Sequence, residues 1–241
     1  MSKQTAEYNN NEWKIKLAGI KDGTYERKSR TRWDFAMVNI NNNSSVIDVA
    51  CGDGVFGQKL IEEKSCIVSG VDCADIALES SKAKGINAVY CDISDDLFPF
   101  ADETFSYATA LCCVEHVFNP LHCVKEAIRV LKTGGKLILT LPNAVNYKIR
   151  EDFNNGIVSP DLLHAKPGEG MHIQFFNYKD DFENKVLSKI LNCKVILKKG
   201  DVKDTSKYTK DELNELYWLI EKYPDKYAEY THWIIVKTEE K

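Results

Sequence analysis

The chain has 241 residues, a formal net charge of -4 and 28% charged residues. This length can bury one substantial core, so a single domain is the default expectation. The negative charge argues against a protein that coats nucleic acid, and we expect no nucleic-acid partner. No apolar run approaches the ~18 residues that span a bilayer, and the polar N-terminus lacks the apolar stretch of a signal peptide. We therefore expect a cytoplasmic protein with no membrane partner.

The eight cysteines include no C-x-x-C pair, and most of them lie in apolar runs. A free thiol in such surroundings behaves as a small apolar group, so the cysteines predict a reduced compartment and no structural zinc. The acidic residues of the second half, such as Asp152 and Asp180, lack the spacing of metal ligands. The sequence therefore predicts no metal site.

The first 45 residues are polar, and two segments in them, Trp13–Ile20 and Tyr25–Ile40, predict a helical cover. From Val46 onward, apolar runs alternate with helix-like segments. The predicted strands are Val46–Val49, Ile67–Val71, Ala88–Tyr90, Phe105–Cys113 and Lys136–Leu141. The predicted helices are Val55–Lys64, Ala74–Lys84 and Pro120–Leu131. Repeated βα units of this length indicate an α/β protein with a doubly wound parallel sheet.

The alternation stops after Pro142. The segment Asn143–Asn177 is long, contains several glycines and prolines, and has no clear strand. A long excursion after the carboxyl end of a strand is typical of a lid or substrate loop. The remaining predicted elements are a helix over Tyr178–Leu191, strands over Lys194–Lys198 and Trp233–Lys237, and a helical insert over 209–221 between the strands.

The stretch Val46–Gly57 reads VIDVACGDGVFG, an apolar run that ends in an acid and opens into a glycine-rich turn. Glycines let the backbone approach a ligand closely, and the following helix presents free N–H groups. Asp72, about 20 residues further on, suits a ribose diol. With Asp48 and Asp92, it places three acids at successive strand ends, on the sheet edge where ligands bind.

The same turn also matches the dinucleotide fingerprint G-x-G-x-x-G, with glycines at 52, 54 and 57. A nicotinamide oxidoreductase is therefore one alternative. A binding protein that keeps the pocket without catalysing a reaction is another.

The segment Ile47–Gly54 resembles motif I of class I methyltransferases, with Ala50 at the usual first glycine. The resemblance continues in order through Asp72, Cys91–Ile93, Phe100–Tyr107, Val114–Val117 and Arg129–Gly135. It implies a Rossmann-like seven-stranded sheet of order 3-2-1-4-5-7-6 with an antiparallel last strand. It also implies S-adenosylmethionine as cofactor and S-adenosylhomocysteine as product. The implied cofactor-binding residues are Asp48, Ala50, Cys51, Gly52, Gly54, Asp72, Cys73, Asp92, Ile93 and Leu111.

Two later stretches, Leu141–Arg150 and His172–Asn177, resemble a bacterial subgroup of these enzymes. It comprises MetW-like proteins and methyltransferases associated with surface-polysaccharide synthesis; Tyr147 replaces a common Trp. The resemblance implies that Asn143, Tyr147, Arg150 and His172 line the acceptor side. His164, in the same loop, and Tyr25 and Arg30, in the basic N-terminal segment, are further candidate substrate-binding residues. The candidate catalytic residues are His116, chosen because it follows the fourth strand and histidine titrates in a useful range, and His172.

Together these features predict one methyltransferase domain over residues 1–241. Its parts are a cover (1–45), a cofactor-binding half (46–141), a substrate loop (142–177) and a C-terminal helix-strand part (178–241). The expected reaction is O-methylation of a small polar acceptor, such as a saccharide or a phosphorylated precursor of a capsule or other surface polysaccharide. An amine or a carboxylate on another small metabolite is the alternative acceptor, and a homodimer is left open.

Overall fold

A computed structural model describes residues 3–22, 31–158 and 172–239. The strands are β1 (Ser45–Val49), β2 (Ile67–Asp72), β3 (Asn87–Tyr90), β4 (Phe105–Leu111), β5 (Leu131–Pro142), β6 (Cys193–Asp201) and β7 (Tyr230–Lys237). The α-helices are α1 (Lys3–Asp22), α2 (Thr31–Asn39), α3 (Val55–Lys64), α4 (Asp75–Ala83), α5 (Pro120–Arg129), α6 (Tyr147–Asn154), α7 (Asp181–Lys185), α8 (Lys210–Lys222) and α9 (Pro224–Tyr227). Short 3-10 turns cover Val114–His116, Leu187–Lys189 and Thr205–Lys207.

The seven strands form one sheet in the order β3-β2-β1-β4-β5-β7-β6. The pairs β1–β2, β2–β3, β1–β4 and β4–β5 are parallel, whereas β7 runs antiparallel to both β5 and β6. The predicted strand order and the antiparallel last strand are therefore confirmed. The chain winds outward from β1 to β3 and then returns to β4, so the carboxyl ends of β1 and β4 lie side by side at a topological switch point.

Helices cover both faces of the sheet. In β1, Val46 packs in one core cluster with Phe35 of α2 and Leu60 of α3. Its neighbour Ile47 packs in the other cluster, with residues of α5 and α7. Successive side chains of a strand point to opposite faces, so this split marks a sheet that is buried on both sides.

Most predicted elements of the core are present with small changes at their ends. Helix α3 has the predicted bounds and ends where Ser65 adopts a left-handed φ of 53°. Helix α5 ends two residues before the predicted Leu131, because Leu131 already pairs with Phe105 as the first residue of β5. The predicted insert is α8, which Thr209 starts with a capping box to Glu212.

The continuous helix predicted over Tyr178–Leu191 is wrong. The side chain of Asn177 accepts from the backbone N–H groups of Asp180 and Asp181, so regular helix starts only at Asp181. It breaks at Val186 (φ -119°, ψ -64°), where the chain turns Phe182, Val186 and Leu187 into the core. Burial of these apolar side chains outweighs the local preference for a longer helix.

The N-terminal cover also differs from its prediction. Helix α1 begins at Lys3 and runs through the asparagine-rich patch Asn9–Asn11. Of the predicted segment Tyr25–Ile40, α2 occupies Thr31–Asn39, and residues 23–30 lie outside the described residues. Within the described parts of the chain, no helix combines the length and apolar character needed to cross a membrane.

Candidate functional site

Three buried acids line the carboxyl edge of the first three strands. Asp48 lies in β1, Asp72 ends β2, and Asp92 follows β3; their exposed fractions are 5%, 8% and 6%. Burying three carboxylates so close together is costly unless each has partners. The contacts of each acid therefore define what the edge can bind.

Asp72 holds the glycine-rich turn in place. Its Oδ2 accepts from the N–H of Gly52 at 2.9 Å, and its Oδ1 accepts from the N–H of Ala74 at 3.0 Å. Burial raises the pKa of Asp72, while these N–H groups and the charge of Lys16 act in the opposite direction. A carboxylate has about four acceptor positions, so the bonds from Gly52 in the turn and from Ala74 after β2 leave capacity for ribose hydroxyls.

Asp48 lies on the neighbouring strand. The Thr109 hydroxyl of β4 donates to its Oδ1 at 2.6 Å. Burial, with a smaller contribution from the charge of Asp72, raises the pKa of Asp48 to about 7 against the effect of the Thr109 hydrogen bond. A nearby cation would favour its ionised form, and the cofactor of class I methyltransferases carries an ammonium group.

The turn itself is left-handed at three positions. Ala50, Gly52 and Gly54 have φ values of 58°, 54° and 79°, so Ala50 adopts the conformation for which the motif usually has glycine. A Cβ on Gly52 would lie 2.4 Å from Cζ2 of Trp13, and one on Gly54 would lie 2.6 Å from Ile86. The turn is thus packed on both sides.

The remaining predicted cofactor residues lie around this edge. The Cys51 thiol packs against Gly70, where a Cβ would lie 2.6 Å from it. The Cys73 thiol accepts from the Asn9 amide at 3.2 Å. Ile93 is buried in the core, and Leu111, which ends β4, is partly buried.

Helix α1 contributes contacts that the sequence did not predict individually. Trp13 covers Gly52, and the charge of Lys16 acts on Asp72. The side-chain oxygen of Asn10 accepts from the N–H of Ile76 at 3.2 Å, at the start of α4. The polar sequence of α1 predicts a helical cover, but it does not show which of its side chains face the glycine-rich turn. These contacts could therefore be identified only from the folded structure.

The two predicted catalytic histidines lie together with Glu115. The ring centroids of His116 and His172 are 4.8 Å apart in an edge-on arrangement. Oε1 of Glu115 lies 3.9 Å from Nε2 of His116 and 4.0 Å from Nε2 of His172. Glu115 was not among the predicted site residues; its 1% exposure makes it the buried centre of this cluster.

A small, partly open cleft of about 40 Å³ lies beside His172. The polar and charged residues of its wall are Asn143, Asn146, Lys148, His172, Gln174, Lys203, Lys207, Glu229 and Tyr230. Lys148 pairs with Glu229 at 2.5 Å. The cleft therefore combines cationic side chains with an apolar edge from Phe175 and Phe176.

The predicted acceptor-side residues differ in their placement. Asn143 lines the cleft, but its amide donates to Ala228 O at 2.8 Å and accepts from Tyr178 N at 3.2 Å. Tyr147 packs with Tyr208 and Tyr227 in a separate cluster. Arg150 is exposed, and its Nε donates to the carbonyl of Val145 at 2.5 Å. Neither Tyr147 nor Arg150 is part of the described cleft wall.

Tyr25, Arg30 and His164 lie outside the described residues. Of the basic segment, Arg32 is described, and its Nη1 donates to the Tyr230 hydroxyl at 3.1 Å. His232 is buried and stacks on Phe35, as expected of a structural histidine.

This sheet order, together with an acidic edge and a glycine-rich turn, defines a class I methyltransferase, the class whose cofactor is S-adenosylmethionine. A family model described as "Methionine biosynthesis protein MetW" matches residues 32–215, and the chain belongs to that family.

Similar proteins agree on the class and differ in the atom that they methylate. A "Ubiquinone biosynthesis O-methyltransferase" of Pseudomonas fluorescens is 27% identical over 119 residues, which cover 47% of this chain and 50% of that protein. The "Ubiquinone/menaquinone biosynthesis C-methyltransferase UbiE" of Rickettsia prowazekii is 30% identical over 133 residues, with coverages of 50% and 53%. The chain thus spans about half the length of these curated relatives.

A solved structure extends the likeness over nearly the whole chain. It is a Thermotoga maritima S-adenosylmethionine-dependent methyltransferase, described as a possible histamine N-methyltransferase. Its TM-score is 0.63 at 18% identity, and the match covers 94% of this chain and all of the other. This match supports the fold and leaves the acceptor open.

Proposed function

We propose that the chain transfers the methyl group of S-adenosylmethionine to a hydroxyl of a small polar acceptor. The main support is that the acidic edge and the histidine pair meet at the ends of neighbouring strands. Asp48 of β1 pairs in register with Thr109 of the adjacent strand β4, and Glu115 lies in the turn that follows β4. A cofactor at the acidic edge would therefore have the histidine cluster within reach of its methyl group.

Methyl transfer from a sulfonium is an in-line displacement, so the protein mainly positions the acceptor and excludes water. A hydroxyl must also lose its proton as its oxygen bonds to the methyl carbon. The imidazoles of His116 and His172 are suited to assist this step. The proposed roles are cofactor binding for Asp48, Asp72 and Asp92, and acceptor activation for the histidine cluster.

The cleft supports an acceptor with an anionic group. Lys203 and Lys207 lie on its wall together with His172, and lysine is a common phosphate binder. A phosphorylated saccharide fits this combination of charge and polar side chains. Its assignment to surface-polysaccharide synthesis rests on the sequence resemblance alone.

We also propose that residues 1–241 form one domain in which residues 142–177 are the substrate loop. The loop supplies Asn143 and His172 to the cleft wall. Tyr25, Arg30 and His164 are proposed to complete the acceptor side. A homodimer stays a prediction, and size-exclusion chromatography with light scattering would measure the oligomeric state.

The test is transfer of a labelled methyl group from S-adenosylmethionine to panels of saccharides, sugar phosphates, amines and carboxylic acids. We expect a base-stable methyl ether on a sugar phosphate. The rate of transfer should fall at least about 100-fold in His172→Ala. His122→Ala is the matched control, because His122 is half-buried outside the histidine cluster and its ring contacts the Asp96 carbonyl. Transfer of the labelled methyl group to an amine, or its recovery as a base-labile ester, would contradict the proposal that the acceptor is a hydroxyl. S-adenosylhomocysteine binding without transfer to any class would favour a non-catalytic binding protein.

A further inference from the structure

Glu115, His116 and His172 form a compact group of potential metal ligands. One ligand atom from each residue lies within 4.8 Å of the other two. The distances from Glu115 Oε1 to the two Nε2 atoms are 3.9 and 4.0 Å. Bonds of about 2.0–2.2 Å to a tetrahedral ion would bring ligand atoms to about 3.3 Å from one another. Modest side-chain rotations would therefore close this group around one ion.

The carboxylate of Glu115 provides a second, independent observation. Its Oε2 is buried and has no hydrogen-bond partner among the residues that the structure describes. An unsatisfied buried oxygen is costly, and it is more costly on a charged group. Arg32 acts on Glu115 electrostatically. Its Nη1 donates to Tyr230, and no ion pair between Arg32 and Glu115 occurs in the described parts of the chain. A cation held by both carboxylate oxygens would supply the missing partner of Oε2.

The backbone brings the distant ligand into position. The N–H groups of Ile173 and Gln174 both donate to the Glu115 carbonyl at 2.9 Å. The Gln174 side chain donates to the Val117 carbonyl at 3.3 Å. The segment after His172 is thus fixed on the turn that carries Glu115 and His116. The ligand set is assembled by the fold, which explains why local sequence spacing predicts no metal.

We propose that Glu115, His116 and His172 bind one divalent first-row transition-metal ion and leave a coordination position for the acceptor oxygen. Two imidazoles and one carboxylate suit Zn²⁺ or Fe²⁺, whereas Mg²⁺ and Ca²⁺ prefer oxygen ligands. The role of the ion in catalysis rests on the proposed methyl transfer. Binding of the ion itself can be measured separately.

The ion would change how the acceptor is activated. Coordination lowers the pKa of a bound hydroxyl, and its proton leaves to water. The oxygen then bonds to the methyl carbon, and the carbon–sulfur bond breaks with its electron pair on sulfur. The products are a methyl ether and S-adenosylhomocysteine, and the ion keeps its oxidation state. The histidines serve as ligands in this reaction.

The first test uses wild-type protein freed of metal by a chelator and titrated with Co²⁺ alone under reducing conditions. We expect one equivalent to bind, with visible d–d absorption that Zn²⁺ abolishes and excess Mg²⁺ leaves intact. The eight free cysteines are the competing ligands. Strong near-ultraviolet sulfur-to-cobalt absorption, or no saturable binding, would overturn the proposal.

Conservative variants locate the ion. Glu115→Gln and His172→Gln are expected to weaken Co²⁺ binding at least tenfold, and the control His122→Gln, which lies outside the ligand group, is expected to bind like wild type. Wild-type affinity in Glu115→Gln and His172→Gln would contradict the proposal. Zinc-edge X-ray absorption of the loaded wild-type protein does not depend on the variants folding. Two imidazole nitrogens and no sulfur are expected, and any sulfur ligand would overturn the assignment.

S-adenosylhomocysteine titration of the metal-free protein separates this inference from the proposed function. Binding of S-adenosylhomocysteine without a specific metal site would reject the metal and leave methyl transfer in place. A metal site without S-adenosylhomocysteine binding would reject the proposed function and leave the ion to be explained by another reaction.

Discussion

The pKa of Asp48 couples the ionisation of this buried side chain to the stability of the folded chain. It is buried beside Asp72 and accepts a hydrogen bond from Thr109. Its pKa of about 7 in the folded chain lies above the ordinary value of 3.8. The folded state therefore holds this proton more tightly than the unfolded state, and ionisation of Asp48 costs stability.

Asp48→Asn should change the pH dependence of stability. In wild type, the contribution of Asp48 is fully present below about pH 4, falls between pH 4 and 7, and is constant above that range. The advantage of the variant over wild type should thus grow with pH across this window, by up to about 1.4 kcal/mol per pH unit. Urea unfolding at pH 5, 6 and 8 measures it. An equal difference at all three values would show that Asp48 does not titrate in this range.

Helix α1 contributes side-chain contacts to the glycine-rich turn and to the loop after β2, both of which flank the acidic edge. Trp13 packs on Gly52, and Asn9 and Asn10 contact Cys73 and the start of α4. These contacts join the N-terminal cover to both loops that flank the acidic edge. The cover therefore acts on the turn whose backbone is expected to approach the ligand.

Trp13→Ala should weaken S-adenosylhomocysteine binding about tenfold, because the turn loses its aromatic cover. Calorimetry measures the affinity, and Trp218→Ala is the control, since Trp218 is half exposed on α8. Tighter binding in Trp13→Ala would instead mean that α1 competes with the ligand for the turn.

The start of the predicted substrate loop is anchored by one buried amide. Asn143 is 1% exposed and links β5 to Ala228, Asp225 and Tyr178 through hydrogen bonds. Its primary role in the described structure is to fix the path of the chain at the cleft. Its loss would leave buried backbone groups without partners.

Asn143→Ala should lower the free energy of unfolding by about 2 kcal/mol, which corresponds to about 4–8 °C in Tm for a chain of this size. Differential scanning calorimetry measures the change. The control, Arg150→Ala, removes an exposed side chain and should shift stability by about 0.5 kcal/mol or less. Equal, small shifts in both variants would contradict the anchoring role of Asn143.

At the scale of the molecule, local patterns determine the cofactor half most completely. The acids Asp48, Asp72 and Asp92 each follow or lie in a short apolar run, and parallel strands place such positions on one edge. Fold and edge could therefore be predicted before any contact was known. The left-handed φ of 58° at Ala50 is a finding of the structure, since the sequence showed only that alanine stands where the motif usually has glycine.

The acceptor side was predicted less well, because it depends on contacts between distant segments. His172 meets Glu115 only because the segment after it binds the turn at the end of β4. The predicted helix over Tyr178–Leu191 breaks for a similar reason, since Phe182 is buried against Trp233. The periodicity of apolar residues indicates which face of a helix or strand is buried. It does not indicate which other segment of the chain covers that face.

The most direct test of the central assignment is calorimetric titration with S-adenosylhomocysteine, with NADH titrated in parallel. The acidic edge and glycine-rich turn predict saturable binding of S-adenosylhomocysteine and none of NADH, and Asp72→Ala should abolish the binding. Thermal stabilisation should accompany it, with about 2.7 kcal/mol expected at 100 times Kd. Binding of NADH alone would contradict the assignment as a methyltransferase. The glycine-rich turn would then bind a pyrophosphate, and the chain would be a nicotinamide-dependent oxidoreductase.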